Sequence, residues 1–120
     1  FSLFFSTWPV EHGHEGWVTH SEIWRAEGRT PLGPFCNPHP VFARTATPSW
    51  DSDNFHNVTV RRFAGRYFLY YTGNFGNGEW WIHRNNQRIG VAVAEGPEGP
   101  WRRFSSPVLD VSASSWDSLC

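Results

Sequence analysis

Three stretches concentrate side chains able to act on a polar substrate: Trp17-Val18-Thr19-His20-Ser21-Glu22, Asp53-Asn54-Phe55-His56-Asn57 and Glu79-Trp80-Trp81-Ile82-His83-Arg84-Asn85-Asn86. Carboxylates and imidazoles move protons, amides and guanidinium groups bind hydroxyls, and indoles stack on the faces of ring-shaped ligands. His20 and Glu22 stand two apart at an expected strand entry, so an imidazole and a carboxylate would point together into an axial cleft. The competing reading is a solvated strand edge. Glu22 and His56 are the candidate catalytic groups. The candidate substrate contacts are His20, Asn57, Trp80, Trp81, His83, Arg84, Asn85 and Asn86. Adjacent indoles on a strand face opposite ways, so at least one of Trp80 and Trp81 is expected to be free to stack. Arg84, Asn85 and Asn86 offer donors, or else shape their own loop through side-chain to backbone bonds.

Other signals are weaker. His12-Gly13-His14-Glu15 looks like a ligand cluster, but two imidazoles in a glycine-containing loop without a third fixed partner do not define a metal site. Neither a metal nor a cofactor is expected. Asn57-Val58-Thr59 matches the glycosylation sequon but opens an expected inner strand, and is set aside. Cys36 and Cys120 could pair or stay free, and no compartment follows from them.

The elements that would position these groups come from an internal repeat. Leu32-Gly33-Pro34-Phe35, Pro40-Val41-Phe42 and Trp50-Asp51-Ser52 return as Glu98-Gly99-Pro100-Trp101, Pro107-Val108-Leu109 and Trp116-Asp117-Ser118, a displacement of about 66 residues. Upstream, Leu3 to Thr7 matches Leu69 to Gly73, and Ala26-Glu27-Gly28 matches Ala94-Glu95-Gly96. A fixed period with turn signals inside each unit marks an array whose units bury their faces against one another.

The second unit reads as four short strands. Asn57 to Val60 alternates, Ala64-Gly65 is a tight turn, and Tyr67 to Tyr71 is aromatic on both faces. Ile89, Val91 and Val93 share one face of the next strand, and Gly90, Ala92 and Ala94 share the other, which suits close sheet packing. A last strand is expected from Trp101 to Val108, on an edge because it contains Pro107. In the first unit the counterparts are Phe1 to Thr7, Thr19 to Ala26, a turn at Thr30 to Pro34, and an outer strand bearing Pro38 and Pro40. Four antiparallel strands per unit, repeated, describe a propeller blade; a β-sandwich would need no such repeat.

The fold class expected is therefore all-β, about two blades of a five-bladed β-propeller. Residues 1–49 form a partial blade, 50–115 a full one, and 116–120 the start of the next. In such blades the loops Trp8 to Val18, Ala43 to His56 and Gly73 to Gln87 share a rim, and long loops in compact domains are usually functional. The recurring Trp50-Asp51 and Trp116-Asp117 pairs are assigned to structure, the Trp closing one blade on the next and the Asp capping a turn.

Composition narrows the partners. The ten basic residues are all Arg and the net charge is -1, so no footprint for nucleic acid or an anionic membrane is present. No apolar run approaches the roughly 18 residues of a membrane span. Aromatic residues reach 18% with eight Trp, more than a core of this size needs, and the excess favours stacking on ring-shaped ligands. There is no Met and position 1 lies inside an apolar run, which predicts a piece of a longer protein.

Trp17 to Ile23, His56-Asn57-Val58-Thr59-Val60, Tyr67 to Tyr71 and His83-Arg84-Asn85-Asn86-Gln87-Arg88-Ile89-Gly90-Val91-Ala92-Val93-Ala94 resemble bacterial five-bladed propeller glycoside hydrolases, closest to sucrase-like proteins grouped around glycoside hydrolase family 43. The resemblance covers nearly the whole chain. It implies hydrolysis of glycosidic bonds by an acid and a base carboxylate on first strands of different blades, with a third carboxylate tuning the acid. His56-Asn57 stands where the family's catalytic blades show Asp, which implies that the base lies in another blade. The resulting expectation is a glycosidase-like chain supplying carbohydrate contacts to a central cleft, with Glu22 as acid or acid-tuning group. The alternatives are a non-catalytic carbohydrate-binding propeller and a protein-interaction propeller with flat, apolar loops.

Overall fold

The computed structural model describes residues 1–112. Trp116, Asp117 and Cys120, with the expected start of a further blade, lie outside the described residues. The elements run β1 (Ser2–Thr7), α1 (Gly16–Thr19), β2 (Glu22–Gly28), β3 (Phe35–Pro40), β4 (Asn54–Phe63), β5 (Arg66–Asn74), α2 (Trp80–Asn85), β6 (Arg88–Ala94) and β7 (Arg102–Arg103), with a 3-10 turn at Val10–His12. They make two antiparallel sheets, β1-β2-β3 and β4-β5-β6-β7, each in sequence order. This is the blade pattern of a propeller.

The repeat is visible in the backbone. β1, β2 and β3 correspond to β5, β6 and β7, and the Gly33-Pro34 and Gly99-Pro100 bonds are both cis at equivalent places. Ala64 and Gly65 both take positive φ, 49° and 80°, as a two-residue hairpin turn between twisted strands requires. The expected small face is confirmed: Gly90, Ala92 and Ala94 are buried while Ile89, Val91 and Val93 are half-buried.

Several boundaries moved. β2 begins at Glu22 because Thr19 still closes the helical turn of α1. β4 starts at Asn54 and bulges after His56, with Asn57 at φ 53°, before the ladder resumes at Thr59 opposite Tyr70. The expected outer strand Trp101 to Val108 shortens to Arg102–Arg103. Ser105, Ser106 and Pro107 interrupt it, and the chain pairs again only where Leu109 meets Ile89. Trp80 and Trp81 are helical instead of extended.

The core lies between the sheets. Ile23, Phe42, Phe55, Leu69, Tyr71 and Ala92 are buried together, with Phe4, Val41, Trp50, Val58, Val60 and Trp101 packed against them. Trp50 stacks on Tyr71 and lies over Gly73 and Gly90, where an added Cβ would come within 2.9 and 2.4 Å of its ring. Gly73 and Gly90 thus leave the room that the indole fills. No helix among the described residues is long and apolar enough to cross a membrane.

Candidate functional site

The β1–β2, β3–β4 and β5–β6 connections leave the same ends of their strands, so α1, the 43–53 loop and α2 gather on one rim. The opposite rim carries only the tight turns. Chemistry-bearing residues on the crowded rim fall into two places.

The first is an open recess of about 270 Å³ lined by Thr7, Trp8, Pro9, His20, Glu22, Trp24 and Arg44. Glu22 lies opposite Thr7 at the mouth of β2, and strand alternation puts it with Trp24 on the face turned away from the fully buried Ile23. Trp24 Nε1 donates to Glu22 Oε2 at 3.0 Å, and Arg44 Nε stands 3.5 Å from Oε1. Both partners are donors, so the carboxylate is aimed as an acceptor. Arg44 is itself held, because its Nη2 donates to the His20 carbonyl at 3.0 Å. His20 stacks flat on His12, ring centroids 3.4 Å apart, and its Nδ1 meets Thr19 Oγ1 at 2.8 Å. Burial, then the neighbouring His12 and Arg44, lowers the pKa of His20. Trp8 Nε1 donates to the Gly13 carbonyl at 2.8 Å, which fixes the indole at the recess wall. His20 and Glu22 thus share a recess, as their spacing suggested, although His20 caps α1 and is not part of the strand.

The second place is buried beneath the rim. His56 is 2% exposed, lies edge-on to Trp17, and its Nε2 meets the Gln87 amide at 3.1 Å. Burial lowers its pKa to about 4, with the Asn57 side chain opposing and Arg84 assisting. Nothing among the described residues bonds or bridges Glu22 to His56, and the two lie on different sheets.

The structure separates the remaining candidates by exposure. Trp81 is 68% exposed and packs edge-on against the half-buried Trp80, 4.4 Å between centroids. Asn85 is exposed and Arg84 half-buried. Asn86 Nδ2 donates to the Phe75 carbonyl at 3.0 Å, so this amide shapes its loop. His83, a candidate substrate contact, is 3% exposed with both ring nitrogens bonded to the protein, leaving neither for a ligand. Asn57 is exposed at the bulge. Among the described residues no group of three His, Cys, Asp or Glu could hold a metal ion.

Sequence reading missed Arg44, Trp8 and Trp24, because each joins the recess from a different segment. Asn54 lay within a stretch singled out from sequence but was given no role, and Asn74 was missed; both amides are fully buried. Paired positions at the start of β4 and the end of β5 were their only signal.

No protein-family model matches the chain, and no curated protein does. Among solved structures it is similar to a thermostable family-43 glycoside hydrolase, at 28% identity and a TM-score of 0.57 over 77% of this chain and 29% of that one. It is also similar to a family 117 glycoside hydrolase from the marine bacterium Zobellia galactanivorans, at 19% identity and a TM-score of 0.72 over 99% of this chain and 38% of that one. The second likeness is one of fold. The chain spans less than two fifths of the length of either structure. Its architecture is that of propeller-like glycoside hydrolases.

Proposed function

We propose that this chain forms part of a carbohydrate-active propeller that hydrolyses O-glycosidic bonds, and that its crowded rim supplies the sugar contacts. The observation that carries this reading is the recess of Trp8, His20, Glu22, Trp24 and Arg44 on a fold shared with glycoside hydrolases. Indole walls offer stacking faces, while an aimed carboxylate beside a guanidinium grips vicinal hydroxyls. Among the described residues Glu22 is the one carboxylate lining the recess, so a catalytic pair needs a second carboxylate from elsewhere, which we place in another blade. Glu22 serves as acid or acid-tuning group, and His56 supports the site from below. Trp80, Trp81, Arg84, Asn85 and Asn57 extend the contact surface.

A panel of 4-nitrophenyl glycosides tested on the full-length protein decides the matter. Turnover that falls with Glu22→Gln supports the hydrolase. Saturable binding on an oligosaccharide array without turnover of any substrate would replace it with the non-catalytic carbohydrate-binding propeller, which the same recess also suits.

A further inference from the structure

A continuous line of hydrogen bonds crosses from the first sheet's rim loop to the second's. Asn54 Nδ2 and Asn74 Nδ2 both donate to the Val18 carbonyl, at 2.7 and 3.1 Å. Asn74 Oδ1 meets His83 Nδ1 at 2.8 Å, and the Gly78 N–H donates to His83 Nε2 at 3.0 Å. Val18, Asn54, Asn74 and His83 are all buried. Only one proton assignment satisfies every bond. With Nδ2 spent on Val18, Asn74 Oδ1 must accept, so His83 carries its proton on Nδ1 and keeps a bare Nε2 for Gly78.

The loop rests directly on this ring. A Cβ at Gly76 would come within 2.6 Å of the imidazole, and the Gly76 N–H donates to Asp53 Oδ2 at 3.0 Å. The line therefore begins in α1, runs through the ends of β4 and β5, and ends in α2 and the turn before it. These are the segments that flank the proposed carbohydrate site.

We propose that Asn74 and His83 are positioning residues that lock α1 and α2 into one body, so that a contact made by the α2 side chains Trp81 and Arg84 is transmitted to the α1 loop. The carbohydrate reading supplies only the nature of the ligand; the coupling stands without it. Protonating Nε2 would remove the acceptor for Gly78 and free that turn, while the Nδ1 bond to Asn74 that makes the lock would remain. The charged and titratable groups facing His83 are Asp53, which favours its protonation, and Arg44 and His20, which oppose it. Burial is the largest influence and keeps the ring neutral.

The test uses the full-length protein labelled with 15N-histidine. Long-range 1H–15N correlation should show His83 protonated at Nδ1 and bare at Nε2; the opposite tautomer overturns the proposal. In His83→Ala, amide hydrogen exchange should quicken by at least about 10-fold at residues 16–20, on the other sheet's loop, as well as at Gly78. His83→Asn keeps a donor for Asn74 Oδ1 and should restore protection at residues 16–20 but not at Gly78. Unchanged exchange at residues 16–20 in His83→Ala reduces the residue to a local loop staple and overturns the coupling. If a 4-nitrophenyl glycoside is turned over, His83→Ala should raise its KM with kcat nearly unchanged, and a fall confined to kcat counts against positioning. Absence of any turnover overturns the hydrolase reading and not this one, which the tautomer and the exchange rates decide.

Discussion

The Tyr71 hydroxyl donates to Asp51 Oδ2 at 2.7 Å, and Arg103 Nη1 reaches the same oxygen at 3.1 Å. This is what the Trp50-Asp51 pair does. Trp50 covers the glycines of β5 and β6, while Asp51 ties the second strand of the blade to the fourth. Burial and Asp51 together push the Tyr71 pKa upward, so the hydroxyl stays a donor. Ser49 Oγ also donates to Asp51 Oδ1 at 2.7 Å, so the carboxylate caps its own turn as well as meeting a buried phenol and a guanidinium.

Removing Asp51 takes the acceptor from the buried Tyr71 hydroxyl and from the half-buried Arg103 guanidinium and Ser49 hydroxyl, whereas removing the Tyr71 hydroxyl strands no charged group. Asp51→Ala should destabilise the full-length protein by about 3 to 5 kcal/mol, and Tyr71→Phe by only about 1 kcal/mol. Urea unfolding of both variants checks this. Equal losses would mean that the hydroxyl, not the ion pair, carries the contact.

His56 makes stability depend on pH. Its folded pKa, about 4, lies below the unfolded value of 6.5. The unfolded chain therefore binds the proton first as pH falls. Stability is complete above pH 6.5 and declines toward pH 4, by roughly 3 kcal/mol for a shift of this size. Urea midpoints at pH 7 and pH 4.5 should fall further apart in the wild type than in His56→Gln. Identical pH dependence in the two proteins would remove His56 as the cause.

Trp81 stands out from α2 with most of its surface in solvent, so truncating it should cost the fold little. Trp81→Ala or Arg84→Ala should weaken carbohydrate binding by about 1 to 3 kcal/mol with Tm unchanged. Calorimetric titration beside thermal melts separates the effects. Parallel losses of affinity and Tm would assign these side chains to packing.

Glu22→Gln keeps the shape of the recess and the bond from Trp24 but removes the charge and the exchangeable proton. If the full-length protein hydrolyses glycosides as proposed, the variant should lose at least about 100-fold in kcat. If Glu22 gives the proton to the leaving group, 4-nitrophenyl substrates, which leave readily, should suffer less than natural glycosides. Wild-type turnover in this variant would return Glu22 to the solvated-edge reading.

The sheet face away from the core leaves Phe63 72% and Tyr70 38% exposed, beside the half-buried Phe68, Val91 and Val93. Exposed apolar strand surface of this kind drives association. The isolated 120-residue segment should aggregate or melt without cooperativity in light scattering and calorimetry. A sharp two-state transition of a dilute monomer would contradict the blade assignment.

The sequence by itself determined the blades. A repeated pattern of alternating strands, Gly-Pro turns and Trp-Asp pairs is local chemistry, and local chemistry is what β-alternation, positive-φ turns and proline express. The small face of β6 and the outer position of the Pro38 and Pro40 strand could be read directly. Only the tertiary structure decided what the long loops contain. Trp80 and Trp81 look like strand residues in isolation, yet the turn at Asn77 and the ring of His83 wind the segment into a helix. His83 and Asn86 read as ligand contacts, and His56 as a catalytic group, because their polar groups are visible in sequence, while the partners that hold them, Asn74, Phe75 and Gln87, are not. Val18 and Asn74 are 56 residues apart and meet through one hydrogen bond, and Arg44 reaches His20 across 24. Such pairings are set by how two sheets pack, since closing loops of that length costs entropy that only the buried interface between the sheets offsets.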